Sequence, residues 1–309
     1  MIGCYFTGRL GNQFFRYAYV RALWESRGRK DELVFNFRRV LAGKGTGFED
    51  SLQYFRVLPY RTDNRSLVLR YGSGGQKRVY GSFRTKEKFC ELLRLRTDIL
   101  SDYRQRLLEK GIVVLGTADG NIMPTVAEAE HVFVNGYFEN RAYFDHIRPI
   151  LLDELQPRHA PLAANAALYE AIAHSESVCV TIRRGDYLST QYKKGFYVCD
   201  ENYFNHALTA IRQRVDNPLF VFFSDDIDWV RTHIPLPEGS LCERGKDPVW
   251  EKMRLMSACK HFIISNSSFS WWAQYLSQNE GKMVVSPTRW FNNPDWVSYL
   301  LDDSFVRVE

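Results

Sequence analysis

An α/β protein made of two parallel-sheet units is what the sequence predicts, and three observations predict it. The chain opens with a strand, a glycine turn and a helix in direct succession. Its second half alternates apolar strands with helices. Between the two lies Gln156-Pro157-Arg158-His159-Ala160-Pro161, where two prolines interrupt a helical region. Strands that alternate with helices form a parallel sheet covered on both faces. The 309 residues suit one large domain or two of about 150 each. The expected division is a first domain over 1–156 and a second over 157–309.

Ile2 to Phe6 is the opening strand, and Gly8-Arg9-Leu10-Gly11-Asn12-Gln13 is the turn. Phe15, Ala18, Tyr19, Ala22 and Leu23 then fall on one helical face, and Gly28 stops that helix. Residues 40–80 are rich in Gly, Arg and Tyr, and Gly72-Ser73-Gly74-Gly75 reads as a flexible loop. A charged helical stretch covers 86–110, and Val132-Phe133-Val134 is a strand. After the proline break a helix runs to Ala173. Strands at 178–182, 219–223, 262–265 and 283–285 then alternate with helices at 202–214, 248–258 and 269–277. In the last of these helices Phe269, Trp272, Ala273 and Leu276 form the apolar face.

Composition narrows the function classes. Hydrophobic residues at 45% and charged residues at 25% exclude a disordered chain, a collagen-like chain and a disulfide miniprotein. A net charge of +5 is too small to argue for nucleic acid, but it suits an anionic small ligand. Aromatics at 15% fit sugar sites as well as cores. No apolar run approaches the roughly 18 residues of a membrane span, and no basic stretch precedes an apolar one as in a secretion signal. Cys4, Cys90, Cys179, Cys199, Cys242 and Cys259 show no close pairing, so reduced, mostly buried thiols are expected. The histidines are scattered without H-E-x-x-H, and no metal site is expected.

Four constellations have the residue types that chemistry needs. The turn Gly8–Gln13 joins a strand to a helix, where backbone N–H groups and the helix dipole favour an anion; a purely structural turn is the alternative. Val180-Thr181-Ile182-Arg183-Arg184-Gly185-Asp186-Tyr187 delivers two arginines and an aspartate to a strand end. Adjacent arginines repel, and a diphosphate between their forks offsets that; a structural pair with Asp186 is the alternative. Ser265-Asn266-Ser267-Ser268-Phe269 leads into a helix, either as an N-cap or as a second phosphate cradle. Asp225, Asp226 and Asp228 either open a helix or, as a D-x-D, hold a divalent ion.

Together, the Gly8–Gln13 turn with its helix, the Arg183–Tyr187 run and Ser265-Asn266-Ser267-Ser268-Phe269-Ser270-Trp271-Trp272 resemble glycosyltransferase family 11, the α1,2-fucosyltransferases. Leu255-Met256, Cys259-Lys260-His261 and Pro287-Thr288-Arg289-Trp290-Phe291 fit as well, so the resemblance runs from residue 3 to about residue 291. It implies the GT-B fold, two Rossmann-like domains facing across a cleft, with the acceptor on the first and the nucleotide sugar on the second. It implies GDP-β-L-fucose as donor substrate, transfer to O2 of a galactose with inversion, and neither cofactor nor metal. The acceptor would be a galactose-containing oligosaccharide or a lipid-linked glycan, with no nucleic acid involved. Golgi relatives carry an amino-terminal anchor, for which there is no room before Gly8. A cytoplasmic enzyme of surface-glycan assembly is therefore expected, either free or peripheral on the inner membrane face.

Carried over residue by residue, Arg183 and Arg184 take up charge on the departing diphosphate, which a cationic group must do where no metal does. Gly11, Asn12 and Gln13 belong to the turn that reaches the phosphate or fucose, and Ser267, Ser268 and Phe269 to the nucleotide loop. Asp186 is the candidate base. Two positions depart from the family. Thr181 stands where a histidine is usual. Lys252 stands where an aspartate often faces guanine, and since lysine cannot accept from guanine N1 and N2, Glu251 is the expected substitute. Two other readings stay open: a metal-dependent glycosyltransferase using Asp226 and Asp228 with another nucleotide sugar, and a non-catalytic nucleotide- or sugar-binding protein.

Overall fold

The structure is a computed structural model and describes residues 1–43, 45–93, 101–115, 126, 129–189 and 193–309. The chain divides into two compact units, Met1–Leu52 with Val57–Leu151, and Gln53–Arg56 with Leu152–Glu309.

The first unit holds five parallel strands: β1 (Ile2–Tyr5), β2 (Leu33–Asn36), β3 (Arg61–Thr62), β4 (Ile112–Leu115) and β5 (Val132–Gly136). Their order across the sheet is β3-β2-β1-β5-β4. The helices are α1 (Leu10–Ser26), α2 (Arg38–Leu41), α3 (Leu67–Tyr71), α4 (Gly74–Leu92), α5 (Ser101–Leu108) and α6 (Arg148–Glu154), and the division between the units falls inside α6. Two sequence expectations are corrected here. Helix α1 is not one-faced: Leu10, Gly11 and every residue from Gln13 to Leu23 are buried, the arginines included. Its arginines satisfy themselves locally, which periodicity cannot show. Arg16 donates to Tyr5 O and Asn12 O, both at 3.2 Å, and to Thr7 Oγ1 at 2.8 Å. Of Gly72–Gly75 only Gly72 and Ser73 form a connection, because α4 begins at Gly74. Ser73 Oγ accepts from Gln76 N at 3.3 Å and Gln76 Oε1 accepts from Ser73 N at 2.9 Å, a capping box that overrides the glycines. Part of the charged stretch expected over 86–110 forms α4 and α5, and residues 94–100 lie outside the described residues.

The second unit holds a six-stranded parallel sheet: β6 (Glu176–Ile182), β7 (Pro218–Ser224), β8 (Leu241–Cys242), β9 (His261–Ile263), β10 (Val284–Pro287) and β11 (Val306–Val308). The order is β11-β10-β9-β6-β7-β8. Its helices are α7 (Ala166–Ala173), α8 (Lys193–Phe196), α9 (Glu201–Arg212), α10 (Ile227–His233), α11 (Val249–Ala258) and α12 (Ser268–Leu276). Strands β6, β7 and β9 are buried nearly throughout, as a sheet covered on both faces requires. On one face Tyr203, Ala207 and Ile211 of α9 pack with Val178, Val180, Phe220, Phe222, Ile263 and Val285. Tyr203 carries its hydroxyl into this core and donates to Ile264 O at 2.6 Å. The free cysteines are all buried except Cys242, which is half-buried.

Candidate active site

A parallel sheet of this order has one place where the chain reverses its direction of growth. From β6 it proceeds to β7 and β8 on one side, then returns to place β9, β10 and β11 on the other. The loops leaving β6 and β9 therefore part at their carboxyl ends, and ligands of open α/β sheets bind in that crevice. The loop after β6 begins with Arg183-Arg184. The loop after β9 is Ile264-Ser265-Asn266-Ser267, leading into α12.

The two arginines are held by the neighbouring strand. Strands β6 and β7 pair over their full length, ending with Ile182 opposite Ser224, so Arg183 and Arg184 lie beside Asp225 and Asp226. Arg183 Nη1 pairs with Asp225 Oδ2 at 2.8 Å, and the Arg184 N–H donates to Asp225 Oδ1 at 3.0 Å. Gly185 permits this approach, since a Cβ there would meet Asp225 Oδ2 at 2.5 Å. The Arg184 guanidinium lies 3.4 Å over the Trp229 ring and 3.6 Å from Asp226 Oδ2. Asp186, the other carboxylate expected to pair with these arginines, lies on the single-turn helix Gly185–Leu188, and its side chain is outside the described residues. Sequence reasoning missed Asp225 and Trp229 as the arginines' partners. The signal was there: two apolar strands of equal length, each ending in charge.

The acidic run has local occupations. Asp226 caps α10, accepting from Trp229 N at 3.2 Å, and Asp228 pairs with Arg231 at 2.8 Å. Among the described residues no group of three His, Cys, Asp or Glu side chains is disposed to hold a metal ion.

Thr181 and Asn266 build the crevice instead of lining it. Thr181 Oγ1 donates to Ile263 O and accepts from Ser265 N, both at 3.2 Å, locking the end of β6 to the loop after β9. Buried Asn266 donates to Phe196 O at 2.8 Å and Trp290 O at 2.9 Å. Ser267 occupies the N-cap of α12 without a side-chain capping bond, so the first amides of α12 are not closed off by its own hydroxyl. Ser267, Ser268 and Phe269 are all half-buried. Phe269, expected on the buried face of α12, thus stays partly open at the helix start, while Trp271 and Trp272 are buried.

Glu251 has a different occupation from guanine recognition. It is fully buried, its Oε1 accepts from Leu162 N and Asn165 Nδ2, both at 3.0 Å, and its Oε2 pairs with Arg254 at 2.9 Å. Lys252 pairs with buried Glu243 at 2.9 Å. Burial pushes the Glu243 carboxyl above its ordinary range, and the Lys252 ammonium opposes that shift.

In the first unit the Gly8 turn is committed in the same way. Gly8 sits at φ +72°, and a Cβ there would meet the Asn12 side chain at 2.6 Å. Gln13 is fully buried, donating to Gly8 O at 3.2 Å and Glu49 O at 2.8 Å and accepting from Ser51 N at 3.0 Å. Gly11 is buried in the first turn of α1, and Asn12 between them is half-buried.

Two Rossmann-like units with parallel sheets, one carrying a paired-arginine site at its switch point, define a GT-B fold. The chain matches Glycosyl transferase family 11 over residues 123–297, more than half its length, and it belongs to that family. It is 32% identical over 183 residues to the Alpha-1,2-colitosyltransferase of Escherichia coli, a stretch covering 56% of this chain and 61% of that one. It is 32% identical over 170 residues to the Galactoside 2-alpha-L-fucosyltransferase Sec1 of Mus musculus, covering 52% of this chain and 46% of that protein. The chain thus spans about half to three-fifths of the length of these relatives. The fold is similar to that of the fucosyltransferase NodZ from Bradyrhizobium, with a TM-score of 0.53, 15% identity, and coverage of 88% of this chain and 91% of NodZ.

Proposed function

We propose that this protein moves L-fucose from GDP-β-L-fucose to O2 of a galactose residue in a glycan, with inversion. The observation that carries this reading is Arg183-Arg184 at the β6 end of the switch point, oriented by Asp225 and Trp229 beside the start of α12. In that reaction the acceptor O2 forms a bond to C1 of fucose, the bond from C1 to the β-phosphate oxygen breaks, and GDP leaves. Negative charge grows on the β-phosphate as the sugar becomes oxocarbenium-like. Two fixed guanidinium groups and helix amides stabilise that charge more than the ground state. With Asp226 and Asp228 occupied locally, we assign the charge-stabilising role to the arginines and not to a metal ion. Asp186 remains our candidate for taking the acceptor's proton. The acceptor is a galactose-containing oligosaccharide or a lipid-linked glycan, and we place the reaction in the cytoplasm or at the inner membrane face.

One finding favours a second donor. The Escherichia coli relative is named for colitose, so GDP-colitose belongs beside GDP-fucose in the test. The experiment is a turnover assay with GDP-fucose, GDP-colitose and a UDP-sugar against a β-galactoside in EDTA, with calorimetric titration of GDP and UDP. Transfer from a GDP-sugar in EDTA, with GDP bound more tightly than UDP, is expected. Tighter UDP binding, or activity abolished by EDTA and restored by a divalent ion, overturns the reading. Donor binding without turnover leaves the non-catalytic alternative.

A further inference from the structure

The first unit has its own switch point. From β1 the chain builds β2 and β3 outward on one side, and β4 and β5 lie on the other with β5 against β1. The crevice of this sheet lies at the carboxyl ends of β1 and β5, by the same rule that places the arginine site in the second unit. The strand β5 ends in Gly136 and runs into Tyr137-Phe138-Glu139-Asn140.

This tetrapeptide is rigid and strained. Phe138 is held at φ +56°, a left-handed conformation costly for a bulky side chain. Its buried ring stacks on Tyr19 at 4.0 Å between centroids. Asn140 N donates to Phe138 O at 2.8 Å, and buried Asn140 Oδ1 accepts from Ala142 N at 2.9 Å. Anchored on both sides, the loop presents Tyr137 and Glu139. Tyr137 is 44% exposed, with the Arg16 guanidinium 5.2 Å from its ring centre. Glu139 is half-buried and makes no hydrogen bond or ion pair with any described residue.

A strained loop that holds one carboxylate without a hydrogen-bond partner beside an open aromatic face has the chemistry of a neutral sugar subsite. The carboxylate accepts from a hydroxyl, and the ring covers the apolar face of a pyranose. We propose that Glu139 and Tyr137 bind the acceptor glycan in the first unit, Glu139 accepting a hydrogen bond from a sugar hydroxyl and Tyr137 stacking on the ring. This deepens the proposed function and rests on it for the identity of the acceptor. Burial raises the Glu139 carboxyl to about 7, against the opposing charge of Arg16. Arg16 of α1 is the charged group that faces it, with Arg39 of α2 and Cys4 of β1 acting on that guanidinium in turn. The ionised carboxylate is the stronger acceptor, so acceptor binding strengthens as pH rises from 6 to 8 through about 7.

The test uses the full chain with N-acetyllactosamine as probe, comparing wild type, Glu139→Gln and Tyr137→Ala. Glycan binding is read by saturation-transfer NMR with GDP present, acceptor KM by turnover, and GDP affinity by calorimetry. Glu139→Gln is expected to weaken glycan binding and raise acceptor KM about tenfold, the loss of one hydrogen bond to a charged group. It should also flatten the pH dependence of acceptor KM and leave GDP affinity unchanged. Tyr137→Ala, at an exposed position that leaves the fold intact, should weaken glycan binding while keeping its pH dependence. Unchanged glycan binding in both variants, or no glycan binding by wild type that binds GDP, overturns the proposal. A wild type that binds the glycan through these residues but transfers no sugar overturns the proposed function and leaves the subsite standing.

Discussion

Arg183, Asp225 and Thr181 each carry a separable prediction. Replacing Arg183 by Lys keeps the charge and loses the planar fork, so one bidentate contact becomes a point contact. We expect kcat to fall by about 10²-fold or more, with little change in melting temperature. Near-wild-type turnover would show that the leaving group is stabilised elsewhere. An unfolded variant would make Arg183–Asp225 a purely structural pair. Asp225→Asn keeps the bond to the Arg184 N–H but removes the charge that orients Arg183. It should lower kcat less than Arg183→Lys while leaving acceptor KM unchanged. Thr181→Val addresses architecture. It leaves the buried Ser265 N–H without its acceptor, which costs about 1–3 kcal/mol and several degrees in Tm. A thermal melt with GDP absent measures that loss directly, and an unchanged Tm would mean the loop after β9 is held by other contacts.

At the scale of elements, capping and register decided what the local pattern left ambiguous. Glycines at 72–75 argue for a loop because each weakens a helix by about 1 kcal/mol relative to alanine. The Ser73–Gln76 box outweighs that preference, and Gln76 also donates to Lys110 O at 2.8 Å and His131 O at 2.7 Å, tying α4 to the ends of α5 and the loop before β5. Gln76→Ala should therefore destabilise the first unit by about 2 kcal/mol or more, and Ser73→Ala by about 1 kcal/mol. Urea unfolding of the two variants distinguishes them, and equal losses would mean that the cap, not the carbonyl bonds, is the main contribution. The strands and helices of the second half were legible because long apolar runs and amphipathic spacing survive without tertiary context. The short strands β3, β8 and β11 carry two or three residues each and were not legible, since pairing and not composition makes them strands.

At the scale of the whole molecule, the lowered carboxyls among the described residues concentrate in the first unit. Burial would raise the Asp31 carboxyl, but bonds from Arg27 and the amino terminus outweigh it and hold the group below its ordinary value. Glu25 behaves alike, with Arg21 and Arg29 prevailing over burial, while Arg61 lowers Glu32 and Tyr71 lowers Asp63. Each lowered carboxyl contributes stability that is present above its unfolded value and is lost as pH falls through the lower folded one. The Glu25 and Glu32 contributions fade below about pH 4.5, and those of Asp31 and Asp63 below about pH 3.8. In the second unit Glu176 is lowered by Lys260 and His261, but buried Glu243 is shifted the opposite way. Hydrogen exchange at about pH 3 against pH 7 should show β2 and the amides around Asp31 and Asp63 losing protection before β6 and β7. The reverse order would show that core packing, not these pairs, sets acid stability.

By itself the sequence determined that the chain is a two-unit α/β protein and that Arg183-Arg184 and Ser265–Phe269 end strands. Those readings rest on periodicity and local chemistry, which are properties of neighbours along the chain. Only the tertiary structure decided which of the singled-out residues are already occupied. Gln13 and Glu251 spend their polar atoms inside the protein, on Glu49, Ser51, Leu162, Asn165 and Arg254, all except Arg254 more than 35 positions away. It also decided that Asp225 holds Arg183, through a register between β6 and β7 that joins residues about 40 positions apart, and that Glu139, on a strained loop, makes no hydrogen bond with any described residue. Hydrogen bonds and ion pairs act over about 3 Å, and a composition or spacing pattern says nothing about which distant group will be brought that close.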